Sequence, residues 1–204
     1  MESSTFAIAL PYMAAAIISG IIGPVVVMII QRSLDKKRHE EEEKIDLNEM
    51  GEMVYVQEFV ENLRDNFEFD RVSICQFHNG GKFLNGRSMK KFSMTYESAA
   101  PGIEKIKRKY QNILVSEFPK MVSEMMKTSF FIVNDDTEDF LQLRREMQTN
   151  GIAQAVYVPI RGLRGDMLGF ISCHSIGTKN DLIGIHLQHE FVDKANQISG
   201  YLLK

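Results

Sequence analysis

Two apolar runs decide the fold: Ile152-Ala-Gln-Ala-Val-Tyr-Val-Pro-Ile160 and Met167-Leu-Gly-Phe-Ile-Ser-Cys-His-Ser175, joined by Arg161-Gly-Leu-Arg-Gly-Asp166. Short β-branched and aromatic runs on either side of a glycine-containing connection predict a β-hairpin. Apolar residues dominate both runs, which predicts that the hairpin lies at the centre of the core. Asn150-Gly151 just before it ends a helix expected over 137–149, with Thr137 as its cap. An amphipathic helix is expected after it, over 181–203, with Leu187, Phe191, Ala195, Ile198 and Leu202 on one face.

Further towards the N-terminus, Val72-Ser-Ile-Cys-Gln-Phe-His78 reads as a buried strand stopped by Asn79-Gly80-Gly81. A second strand is expected over 92–97 and a short one over 130–133. Helices are expected over 103–110 and over 117–127, the latter with Pro119 in its first turn. A long helix over 33–66 carries an apolar stripe of Met53, Val56, Val60 and Leu63, with Phe59 beside it. Strands next to strands, covered by helices, make this an α+β chain with a mostly antiparallel sheet.

From about Asn48 onward the chain resembles a GAF domain, the small-molecule-sensing module of many signalling proteins. The resemblance is carried by the hairpin 152–175 with its following helix, and by the first strand ending Phe77-His78-Asn79-Gly80. It implies a central antiparallel sheet of five or six strands. It also implies N- and C-terminal helices paired on one face, often building a parallel dimer, and a ligand pocket on the opposite face between the second strand and the closing hairpin. The chain departs from two branches of that family. It lacks the Asn-Lys-x-Phe-Asp-Glu signature of the cyclic-nucleotide binders, and it has no loop cysteine where a bilin would be attached.

Phe6 to Ile30 is a run of 25 residues without a charged side chain, followed at once by Arg32, Lys36, Lys37 and Arg38. A helix of that length rises about 37 Å, enough to cross a hydrocarbon core of about 30 Å. A cleaved signal would need a basic start and a small-residue cleavage site, and a buried core helix would be shorter. The expected organisation is a transmembrane anchor over 1–31, a charged juxtamembrane helix over 32–47 and a GAF-like domain over 48–204. The Lys/Arg asymmetry predicts a single-pass protein with its N-terminus outside and its C-terminal domain in the cytoplasm. The small faces Ala15/Ser19/Gly23 and Ala16/Gly20 suit close helix approach in lipid.

The net charge of −3 gives no argument for a nucleic-acid partner. Cys75 and Cys173, the only cysteines, sit in strand-like stretches and are expected as buried thiols. No P-loop, dinucleotide fingerprint, Gly-x-Ser-x-Gly or His-Glu-x-x-His is present, so no catalytic residue is assigned and no enzyme is expected. His186/His189 and His78/His174 recruit no third and fourth ligand, so no metal site is expected.

The most unusual local stretch runs from His78 to Glu97. Its glycines allow close backbone approach, and Lys82, Arg87, Lys90 and Lys91 bring positive charge beside the hydroxyls of Ser88, Ser93 and Thr95. Candidate ligand-binding residues are His78, Asn79, Lys82, Arg87, Lys90, Lys91, Ser93, Thr95 and Tyr96, suited to an anionic ligand or partner surface. The plainer alternative is a solvated hairpin connection.

These features point to a membrane-anchored sensory or regulatory ligand-binding module with its cofactor unknown. It would act through a protein partner, because no output segment follows within the 204 residues. The alternative is a membrane scaffold or adaptor without a ligand, including a small phage-encoded accessory membrane protein. Both apolar helix stripes are too extensive for one small sheet face, which predicts a parallel homodimer that buries the surplus.

Overall fold

The computed structural model describes residues 23–42, 47–82, 88–134, 140–180 and 185–202. The chain divides into two units, Met1–Met50 and Gly51–Lys204. In the first unit, helix α1 (Gly23–Glu42) has Pro24 in its first turn, where a missing N–H costs nothing. Val25 through Ile30 are all exposed on α1. No helix among the described residues is long and apolar enough to cross a membrane. Most of the expected span, together with its small-residue faces before Gly23, lies outside the described residues.

Helix α2 (Leu47–Asn66) leads into β1 (Arg71–Lys82), β2 (Ser88–Ala99) and the two-residue β3 (Ile113–Leu114). A 3-10 turn (Val115–Glu117) and α3 (Pro119–Lys127) precede β4 (Phe131–Asn134) and α4 (Leu141–Thr149). The closing hairpin is β5 (Ile152–Arg161) and β6 (Met167–Ile176), followed by α5 (Ile185–Ser199). The sheet has six strands in the order β3-β2-β1-β6-β5-β4. Every neighbouring pair is antiparallel.

The hairpin expected from its sequence stands next to β1, and β5 is buried from Ile152 to Ile160. Pro159 is tolerated in β5 because the β4 ladder stops at Tyr157, leaving no partner for the N–H that proline lacks. At Gly165 (φ +78°) the connection adopts a conformation that glycine accommodates without strain.

Alternation splits the core into two layers. Val72, Ile74, Val156, Val158, Ile160, Ile171 and Cys173 meet α2 and α5 on one face. Gln197 of α5 donates to the Tyr55 hydroxyl of α2 at 2.8 Å, and Phe67, just past the end of α2, meets Phe191 of α5 with ring centroids 4.6 Å apart. Val56, Phe59, Val60 and Leu63 of α2, with Phe191, Ala195 and Ile198 of α5, are buried within this one chain. The stripes therefore serve an intramolecular core, contrary to the expectation that they leave a surplus. Met53 is the exception, at 47% exposure beside Val54 at 56%.

Cys75, Phe92, Met94, Ala155, Tyr157 and Phe170 form the second layer, under α3 and α4. One β2 irregularity makes that layer possible. Ile74 pairs with Tyr96 but Cys75 pairs with Met94, so Thr95 is the extra residue of a β-bulge. The bulge lets Met94 and Glu97, of opposite parity, face the same side.

Segment 103–110, expected as a helix, is irregular over 103–106 and a turn over 107–109, and Gly102 just before it has φ +86°. Its backbone groups are claimed from outside: Glu97 accepts from the amides of Ile106 (2.7 Å) and Lys107 (3.0 Å), and Arg71 donates to the Glu104 carbonyl. The long helix expected over 33–66 is described as α1 and α2, with 43–46 between them outside the described residues. Thr137, the expected cap of α4, also lies outside them.

Candidate functional site

Because Val72 and Ile74 face the helices, Arg71, Ser73 and Cys75 must face the second layer. In register, Arg71 stands opposite His174 and Ser73 opposite both Ser172 and Glu97. Arg71, Ser73, Glu97, Ser172 and His174 are all buried, so a polar band crosses three adjacent strands inside an otherwise apolar layer.

Arg71 is its centre. Its Nε is 3.3 Å from Glu97 Oε1, with the two side chains 3% and 1% exposed. Its Nη2 donates to the Glu104 carbonyl at 2.6 Å. Nη1 has no partner. Burial lowers the pKa of the guanidinium, and Glu97 is the strongest of the charges opposing that shift. His174 Nε2 and Ser172 Oγ are 2.7 Å apart, and His174 Nδ1 has no hydrogen-bond partner among the described residues. Burial first, then the charge of Arg71, pushes the His174 pKa down to about 3, so the imidazole is neutral.

Above this band the 103–112 segment and α4 border a half-open cavity of about 420 Å³, lined by Arg71, Tyr110, Glu146, Asn150, Ile176 and neighbours. Tyr110 spans its wall: its hydroxyl donates to Glu146 Oε2 at 2.8 Å and accepts from Asn150 Nδ2 at 3.2 Å. Burial and then the Glu146 carboxylate raise the Tyr110 pKa. A second, smaller void of about 40 Å³ reaches into the apolar layer among Cys75, Met94, Met121, Met147 and Tyr157. It shares Ile106, Tyr110, Phe118 and Glu146 with the first. Cys75 and Cys173 are both free and buried, as expected, and burial raises both thiol pKa values. Such thiols are poor nucleophiles.

The residues singled out from sequence lie elsewhere. His78, Asn79 and Lys82 are on β1, and Lys90, Lys91, Ser93, Thr95 and Tyr96 on β2, so much of the expected loop is strand. Arg87 lies outside the described residues. The structure does join some of them: His78 Nε2 is 2.9 Å from Ser93 Oγ, and Lys90 donates to Asn79 Oδ1 at 2.7 Å. Ser93 also accepts from the Asn112 amide, and Thr95 donates to the Ile74 carbonyl. Tyr96 packs against the helix-side core, with Lys107 Nζ 6.0 Å from its ring centre. None of the eight described residues lines either cavity. The residues that do were missed in sequence. The available signal was the charge of Arg71 at the start of an apolar strand and of Glu97 near the end of the next.

No protein-family model and no curated protein matches this chain by sequence. Solved structures do resemble it. The GAF domain of PixJ from Thermosynechococcus elongatus, in its blue-light-absorbing form, aligns with a TM-score of 0.55 at 15% identity, over 78% of this chain and 89% of that one. The chromophore-binding domain of Stigmatella aurantiaca bacteriophytochrome aligns with a TM-score of 0.56 at 14% identity, over 85% of this chain and 58% of that one. GAF3 from Slr1393 of Synechocystis aligns with a TM-score of 0.53 at 14% identity, over 72% and 90%. At such identities the likeness is one of fold, and the fold of this chain is α+β and GAF-like.

Proposed function

We propose that this chain is a membrane-anchored sensory or regulatory module that binds a small molecule in the cavity beneath 103–112 and acts through a protein partner. The observation that carries the reading is Arg71, whose buried Nη1 has no partner among the described residues, in the lining of a cavity of about 420 Å³. That volume falls in the range of about 300–1,000 Å³ usual for small-molecule sites. The similar Stigmatella structure is a chromophore-binding domain, which agrees with a ligand-binding role. Covalent attachment is disfavoured here, because both thiols are buried in strands. Mass spectrometry on denatured, purified full-length protein tests the reading. A stoichiometric small molecule supports it, and protein that carries none and binds none from a metabolite extract refutes it.

Anchoring is supported by the uncharged run over 6–30 and by exposed Val25–Ile30, with the basic residues that follow favouring a cytoplasmic domain. Protease added to intact spheroplasts should spare the domain, and rapid digestion would reverse the orientation. A parallel homodimer is part of the proposal, with Met50, Met53 and Val54 as the exposed apolar contacts available on α2. The scaffold reading keeps one observation in its favour: the inner void of about 40 Å³ is nearly filled by side chains.

A further inference from the structure

Arg71 Nη1 is a buried cationic donor with no acceptor among the described residues, and Arg71 lines the cavity of about 420 Å³ beneath 103–112. A buried charged donor left without an acceptor is costly, so the site calls for a group that supplies one. The neighbouring His174 Nδ1 is also unpartnered. The lining also contains apolar side chains: Ile103, Ile106, Ile113, Phe118 and Ile176.

We propose that this cavity binds a small monocarboxylate with an apolar body, its carboxylate on Arg71 Nη1 and its body against Ile106, Ile113 and Phe118. The proposal rests on the cavity being the ligand site. The charged lining sets the limit on ligand charge. Two cations, Arg71 and Lys109, face three carboxylates, Glu104, Glu117 and Glu146. Lys109 is already held by Glu104 at 3.0 Å, and Arg71 is already paired with Glu97. A second or third negative charge on the ligand would meet Glu117 and Glu146 without a free cation to offset it. One carboxylate, held by charge-assisted hydrogen bonds at Arg71, is what the lining accommodates. A negative group there also offsets the cation that disfavours protonation of His174, so occupancy is readable at the imidazole.

The test titrates histidine-labelled full-length protein with hexanoate, with its neutral analogue hexanamide and with inorganic phosphate. The His174 resonance is followed by NMR and assigned with His174→Gln. Hexanoate should bind roughly tenfold or more tightly than hexanamide, and the His174 titration should move to higher pH. Phosphate should not compete. Hexanamide binding as tightly as hexanoate, or phosphate binding more tightly, overturns the monocarboxylate and leaves the cavity as a ligand site. Neither organic probe perturbing His174 at millimolar concentration counts against the cavity itself, and this inference falls with it. Arg71→Met should abolish the preference for hexanoate and Arg71→Lys should keep part of it. If Arg71→Met does not fold, the hexanoate and hexanamide comparison in the unaltered protein decides alone.

Discussion

Arg71 and Glu97 face each other from adjacent strands, Nε to Oε1 at 3.3 Å, almost entirely out of contact with solvent. Burying two charges is expensive even when they pair, so their net contribution to stability is small. Removing only one is different, because the survivor stays buried without compensation. Glu97→Gln and Arg71→Met should each destabilise the fold by about 3–5 kcal/mol in urea denaturation. The double variant should lose less than the sum, a coupling measured by a double-mutant cycle. Simple additivity would mean that the pair does not act as a unit.

Gly169 lies against the carbonyl of Cys75 where β6 crosses β1, and a Cβ built there collides with that backbone oxygen. Backbone cannot yield as a long side chain would. Gly169→Ala should cost about 1–3 kcal/mol by forcing the strands apart. Gly80, whose Cβ would meet only the flexible Lys91 side chain, is the control. Equal losses at the two sites would contradict the close approach of β1 and β6.

The depressed pKa of His174, about 3, fixes the sign of a pH dependence. An unfolded histidine titrates near about 6.5. Between those values the unfolded chain binds a proton that the folded chain refuses, so stability falls as the pH falls. The contribution is complete above about pH 6.5 and is lost at up to about 1.4 kcal/mol per pH unit below it. Urea midpoints measured from pH 7 to pH 4.5 should therefore drop less steeply in His174→Gln. Parallel curves for the two proteins would place the proton elsewhere.

Two adjacent stretches of α2 should respond oppositely to the same substitution. Val56 and Val60 are fully buried, so a glutamate at either should unfold the domain at a cost of several kcal/mol. Met53 and Val54 are exposed, so Met53→Glu with Val54→Glu should leave thermal stability unchanged. If the chain dimerises through that face, light scattering on the full-length double variant should give half the mass of the unaltered protein. An unchanged dimer would move the interface elsewhere.

The closing hairpin was legible because its apolar residues are contiguous and its turn carries glycine, and Ile152 to Ser175 required no knowledge of any other segment. The helix stripes were legible as stripes, but what they cover was not, because Phe191 meets Phe67 only after the intervening sheet has formed. The site was hidden for a related reason. Arg71, Glu97, Tyr110, Glu146 and His174 converge only through strand register, and the extra residue at Thr95 reverses the parity on which any sequence count depends. Segment 103–110 misled in its own way. Its composition suits a helix, but carboxylate and guanidinium groups from distant strands take the amides and carbonyl that a helix would use. The lysine-rich stretch 82–91 drew attention by local charge, which surfaces have in abundance.

The attachment of segment 103–112 gives the molecule built-in reporters. The amides of Ile106 and Lys107 are bonded to the Glu97 carboxylate rather than to a helix ladder, so their protection from hydrogen exchange depends on where that one carboxylate points. Any group that draws Arg71 away from Glu97 also changes the hold of Glu97 on those two amides. A ligand of the kind proposed for the cavity, if it shifts Arg71, should therefore change the exchange rates of Ile106 and Lys107.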